Sequence, residues 1–233
     1  MSTCFRLSVI FCTAVTSLAA QEAAIDYRKT FEKDYDRAVS YLRNEKWIDS
    51  LIVLNGFNPK EIKAVVFPEL IRYNSIQDRI ETFALETLYV QYGKAYANFS
   101  IGPFQIKPSF AEQIEIDFLN RIRNSLSGFF IVSSDTVQSE IARSNRVKRL
   151  KNKTWMMNYI CTFFKIMNSK YPIWKSQEAK IKFFATAYNC GYWKDREEVE
   201  KFSKKKFFQT GFGVKTKYNY SEIALYYFLN EKN

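Results

Sequence analysis

The sequence predicts a mostly α fold, of the α+β kind in which one helical domain carries a small irregular or β-like lobe. Three observations predict it. Apolar residues recur every three or four positions along most of the chain. Capping residues stand ahead of these stretches and glycines behind several of them. Between Lys94 and Lys107 the helical period lapses, and aromatic residues alternate with small ones. With 233 residues and 47% hydrophobic content the chain can bury one sizeable core, and no internal repeat or low-complexity tract interrupts it.

The first element is an apolar run from Leu7 to Ala20 behind Arg6, closing in Ser17-Leu18-Ala19-Ala20-Gln21. That is the pattern of a secretory leader with a small-residue cleavage site, so residues 1–20 are expected to be a signal peptide and 21–233 the domain. The run is too short to span a bilayer, and no later stretch is apolar for long enough, so no transmembrane segment is expected. Residues 21–57 form an expected N-terminal helical extension on the core. It comprises Asp26 to Asn44, with Tyr27, Phe31, Tyr35, Ala38 and Tyr41 on one stripe, and Lys46 to Leu54, stopped by Asn55-Gly56.

Asn58 ahead of Pro59 starts the next helix, and Pro68 inside it is expected to kink or restart it just before Glu69. Ser75 with Asp78 opens another, which reaches its glycine stop at Gly93. After the irregular stretch, Pro108 starts a helix to about Leu126, and Ser133-Ser134-Asp135 is read as the cap of one running to about Leu150. Thr154 to Asn168, apolar on several faces, reads as the central buried helix. Ser176 to Cys190, ending at Gly191, and shorter pieces at Asp195 to Lys205 and Tyr220 to Leu229 complete the helical set.

The chain carries a formal charge of +11, and loss of the leader removes one arginine and no acid. An anionic partner follows from that balance; for an exported chain, an acidic cell wall or an anionic envelope surface suits it better than nucleic acid. Nothing resembles a nucleic-acid module, so no nucleic-acid partner is expected. The basic residues gather in Arg143 to Lys153 and Lys201 to Lys206, each readable as a solvated helix face or as a binding patch. Histidine is absent, which excludes a Ser-His or Cys-His nucleophile pair and removes the usual zinc ligands; no metal site and no cofactor are expected. Acid-base chemistry then falls to carboxylates, Tyr or Lys. Past the leader only Cys161 and Cys190 remain, either as a pair or as two separate thiols.

Among the carboxylates Glu69 stands apart. It follows Val65-Val66-Phe67-Pro68 and precedes Leu70-Ile71, a frame that strips hydration from the ionised form and raises the pKa toward proton donation near neutrality. Two later segments stand beside it in order: Gly102-Pro103-Phe104-Gln105-Ile106-Lys107-Pro108 and Ala187-Tyr188-Asn189-Cys190-Gly191. Gly102 permits close approach of backbone to a ligand, and Gln105 offers both a donor and an acceptor.

In this order the three segments resemble the soluble lytic transglycosylase branch of the lysozyme-like superfamily. Its pattern runs Glu-Ser-x-Phe, then Gly-Leu-Met-Gln-Ile/Leu-x-Pro, then Ala-Tyr-Asn-Ala-Gly. Leu70 stands here in the Ser position and Cys190 in the Ala position. The resemblance implies a groove flanked by the irregular lobe and a periplasmic enzyme acting on peptidoglycan glycan strands. It further implies that Glu69 is the sole acid/base, cutting between muramic acid and glucosamine to leave a 1,6-anhydro end. It places Gln105 opposite the acid, Tyr188 and Asn189 against the substrate's N-acetyl region or on Glu69, and Tyr220 as a weaker match nearby. Gly102 and Phe104 complete the expected substrate-binding set, Phe104 by stacking on a sugar face. A lysozyme-type hydrolase and a catalytically silent wall-binding or scaffolding protein are the alternatives.

Overall fold

The structure, a computed structural model, describes residues 25–73, 85–118, 120, 138–210 and 215–231. The leader, the Ser75–Asp78 cap and the Ser133–Asp135 cap lie outside the described residues. The chain is mostly helical. Helix α1 spans Tyr27–Asn44, α2 Trp47–Leu54, α3 Pro59–Arg72 and α4 residues 85–92. Helix α5 spans Pro108–Asp117, α6 Glu140–Leu150, α7 Lys153–Lys170, α8 Gln177–Cys190, α9 Arg196–Ser203 and α10 Tyr220–Asn230. Among the described residues no helix is long and apolar enough to cross a membrane.

Side-chain caps account for most of the starts. Asp26, Asn58, Ser139, Asn152, Ser176, Asp195 and Asn219 each accept a backbone N–H of the first turn that follows, satisfying groups the helix leaves open. Ser139 corrects the sequence reading upstream of α6: this helix begins at Glu140 and is not continuous with a start near residue 135. Helix α1 is kinked at Glu32, whose φ is 43°, and nothing in its sequence announces the break.

Helix α3 is the hub, packed against α1, α2, α7, α8 and α10. Every residue from Ile62 to Ile71 is buried, which leaves the helix no solvent face. That burial explains a second correction. Pro68 does not break α3, although it removes one backbone bond; packing on all sides holds the helix in register through it. Helix α7 shares the centre, buried from Met156 to Met167 apart from Asn158 and Lys165. Aromatic edges knit the layers: Phe163 meets Phe110, Phe184, Tyr188 and Tyr192 with ring centroids 5.6–6.1 Å apart.

The basic run from Arg143 to Lys153 divides: Lys148, Lys151 and Lys153 are exposed as a solvated face would have them, while the arginines turn to partners on other elements. Arg146 is fully buried and places Nε and Nη2 3.0 and 2.5 Å from Glu115 Oε2, with Glu112 3.7 Å from its Nη1. Arg149 donates to the other Glu115 oxygen at 2.8 Å and to the Tyr159 hydroxyl at 2.9 Å. Arg143 caps the carbonyls of Val90 and Gln91 at the end of α4, while Lys151 and Lys153 pair with Glu86 and Glu45. Charge that reads as surface on the sequence ties α4, α5, α6 and α7 together.

The expected β-like lobe reduces, among the described residues, to two isolated bridges, Ile101 with Ile106 and Phe208 with Tyr218. Ile101 and Ile106 exchange both backbone hydrogen bonds, at 3.1 and 3.2 Å, and close a tight turn over residues 102–105. Gly102 and Gln105 both hold positive φ, +67° and 50°. An ideal Cβ on Gly102 would lie 2.9 Å from Met156 Cε, so the backbone there approaches α7 and not the cleft. Cys161 and Cys190 are both free thiols.

Candidate functional site

A cleft of about 350 Å³ opens where the end of α3, the 102–107 turn, the start of α5 and the end of α8 converge. Glu69, Arg72, Gln105, Lys107, Tyr188 and Asn189 line it, with Trp193 and Phe207 among the further residues around it. Three segments far apart in sequence thus meet at one carboxyl group. Glu69 is the single carboxylate among the described residues lining this cleft.

Helix α3 brings Glu69 to the cleft one turn before its C-terminus, with only 2% of the residue exposed. Burial raises the Glu69 pKa above the ordinary carboxylate value and is the largest influence on it. The charge of Arg72, its hydrogen bond, a hydrogen bond from Tyr220 and the charge of Lys107 oppose that rise without cancelling it. Arg72 Nε and Nη2 both lie 2.5 Å from Glu69 Oε2. The sign for stability follows from the direction. A carboxyl that binds its proton more tightly folded than unfolded loses stability as pH rises from the ordinary carboxylate range to its own raised value, and the cost then persists above it.

The other expected residues divide. Gln105 reaches the cleft on the strained turn and donates from Nε2 to the Gly102 carbonyl at 2.8 Å. Asn189 is exposed on the cleft wall. Tyr188 lines the wall too, but its hydroxyl donates to the Phe104 carbonyl at 2.7 Å, tying α8 to the turn. Tyr220 lies behind Glu69, buried, its hydroxyl 3.3 Å from the Val65 carbonyl. Burial holds both phenols well above the usual tyrosine value, so they act as neutral hydrogen-bonding groups.

Two expectations need correction. Phe104 is wholly buried with its ring against Tyr41, so it contributes a carbonyl to Tyr188 and no face to the cleft. Gly102 does not line the cleft; its missing side chain accommodates Met156. Sequence reasoning also missed four groups. Arg72 stands three residues after Glu69, the spacing at which helical side chains meet, and that signal was available. Lys107 had the same availability as the residue beside the Gln105 turn. Trp193 and Phe207, each 49% exposed, rim the cleft with aromatic surface, and no local pattern distinguishes them from core aromatics.

Gly191 closes α8 as a helix stop, its N–H on the Ala187 carbonyl, and lines the cleft as well. Its φ is +102°, and a Cβ there would come within 2.7 Å of the Trp193 ring, so the bare backbone lets the indole lie over it. Cys190 lines the same wall, but burial pushes its thiol up to about 11, which keeps it protonated at neutral pH.

A second cavity of about 330 Å³ between α1, α2, α3 and the end of α10 is lined by Arg43, Lys46, Lys63, Asp49 and Glu231. Lys63 there is paired with Asp49 at 2.5 Å, and Arg43 and Arg28 reach Glu231. Comparison with protein-family models, curated proteins and solved structures finds no match to this chain.

Proposed function

We propose that this chain is an exported lytic transglycosylase with a lysozyme-like groove, cutting peptidoglycan strands between muramic acid and glucosamine. The observation that carries the reading is the cleft itself: a lone buried carboxyl of raised pKa, walled by Gln105 and the Tyr188-Asn189 segment. A protonated Glu69 gives its proton to the bridging oxygen, and the leaving sugar departs with the bond's electron pair. The oxocarbenium-like centre is then closed by the substrate's own 6-hydroxyl. Its oxygen forms the bond to the anomeric carbon while its proton passes to the Glu69 carboxylate, restoring the acid. No water is consumed. A hydrolase of the two-carboxylate kind is less well supported, since the described cleft lining holds no second acid to activate water.

One observation favours the silent wall-binding alternative. Arg72 on Glu69 Oε2 stabilises the ionised form, which cannot donate a proton. Digestion of purified sacculi separates the readings. The protein is expected to release fragments with anhydro ends, lighter by one water than reducing ends, and Glu69→Gln to release none. Reducing ends would instead assign a hydrolase. Binding without release, equal for the protein and for Glu69→Gln, would assign a scaffold.

A further inference from the structure

The cleft carries more positive charge than a neutral sugar polymer calls for. Arg72 and Lys107 line it against the single acid Glu69, and both act electrostatically on that acid's titration. When Glu69 holds the proton that glycosidic cleavage requires, the two cations have no carboxylate among the described lining residues to answer them. Lys107 is exposed and makes no ion pair among the described residues, and although it precedes α5 its side chain makes no capping hydrogen bond. Two nitrogens of the Arg72 guanidinium are occupied by Glu69 Oε2, while Nη1 makes no hydrogen bond among the described residues. A planar guanidinium with donors to spare, beside an exposed ammonium, suits a carboxylate. On the same wall, Trp193 lies over Gly191 and shows half its surface, an apolar face for a sugar ring beside the cations.

From this juxtaposition we propose that the cleft selects glycan units bearing a free carboxylate, with Arg72 and Lys107 receiving that group. In a peptidoglycan strand the lactyl ether of muramic acid is such a carboxylate wherever no peptide is attached to it. The proposal rests on reading the cleft as a glycan groove, and it narrows the substrate to strands stripped of their peptides. A second effect accompanies it: an anion that draws Arg72 away from Glu69 weakens an influence that favours the ionised carboxylate, so the matching substrate itself favours the protonated acid.

The test uses full-length Glu69→Gln, so that nothing is cleaved, and three fluorescent ligands of equal length. They are peptide-free peptidoglycan strands, the same strands with the lactyl carboxylates converted to amides, and a chitin oligosaccharide. Peptide-free strands are expected to bind about tenfold or more tightly than either neutral ligand. That preference should shrink with added salt and shrink again in the double variant Glu69→Gln, Lys107→Gln. Equal binding of the acidic and amidated strands overturns the selection while leaving the glycan groove standing. Failure of all three ligands to bind overturns the groove as well.

Discussion

Replacing Tyr188 by Phe removes one oxygen atom and tests what holds the cleft in shape. The hydroxyl donates to the Phe104 carbonyl at 2.7 Å, and both residues are buried, at 7% and 0% exposure. The ring itself packs edge-on against Phe110 and Phe163, at 5.2 and 5.6 Å, contacts that phenylalanine keeps. The cost is therefore that of a buried carbonyl left without its donor, about 1–3 kcal/mol. For a chain of this length each kcal/mol moves the thermal midpoint by about 2–4 °C, so a fall of about 2–12 °C is expected. Circular-dichroism melts measure it, with a urea titration to confirm an unchanged slope. Because the turn that the bond anchors also carries Gln105, digestion of glycan strands should show a raised KM, with the pH dependence unmoved. A variant as stable as the parent, or one whose alkaline limb shifts, would show that the hydroxyl serves Glu69 and not the turn.

Two other perturbations probe different parts of the molecule. Arg72→Met removes the strongest influence opposing the burial of Glu69, so the carboxyl rises further and stays protonated to higher pH; the alkaline limb of kcat/KM on glycan strands should move upward, and a downward shift would contradict the assigned balance. Arg146→Met leaves Glu112 and Glu115 buried against one arginine and one lysine instead of three cations, and urea unfolding should show a loss of about 3–5 kcal/mol; a variant within about 1 kcal/mol of the parent would mean the network is dispensable.

Much of the helical framework is legible along the chain. The stripe Tyr27, Phe31, Tyr35 and Ala38 is the buried face of α1, and the capping asparagine ahead of Pro59 starts α3 where expected. Such features are local: a periodic apolar face and a side chain bonding its own first turn are set within a few residues. Pro68 shows where local reasoning ends. Its penalty against helix is real, yet the packing of five neighbouring helices on α3 outweighs it. The arginines of the run Arg143 to Lys153 mislead for the same reason, because the acidic partners Glu112 and Glu115 of Arg146 and Arg149 belong to another helix.

The sequence by itself showed one carboxyl, Glu69, in an apolar local frame, and the family resemblance named Gln105 and Tyr188-Asn189 as the segments to look for beside it. Only the tertiary structure decided which of their atoms face the cleft. A residue's neighbours in sequence set its own backbone and capping bonds, whereas direction and partners depend on elements brought together by burial of a common core. Thus Phe104 turns inward, the Tyr188 hydroxyl is spent on the turn, and Lys107 and Trp193 reach the cleft of Glu69 from other elements, whereas Arg72 meets it within α3 itself. The charge state of Glu69 belongs to that second category, since desolvation and cations of opposite effect act on it only once the chain has folded.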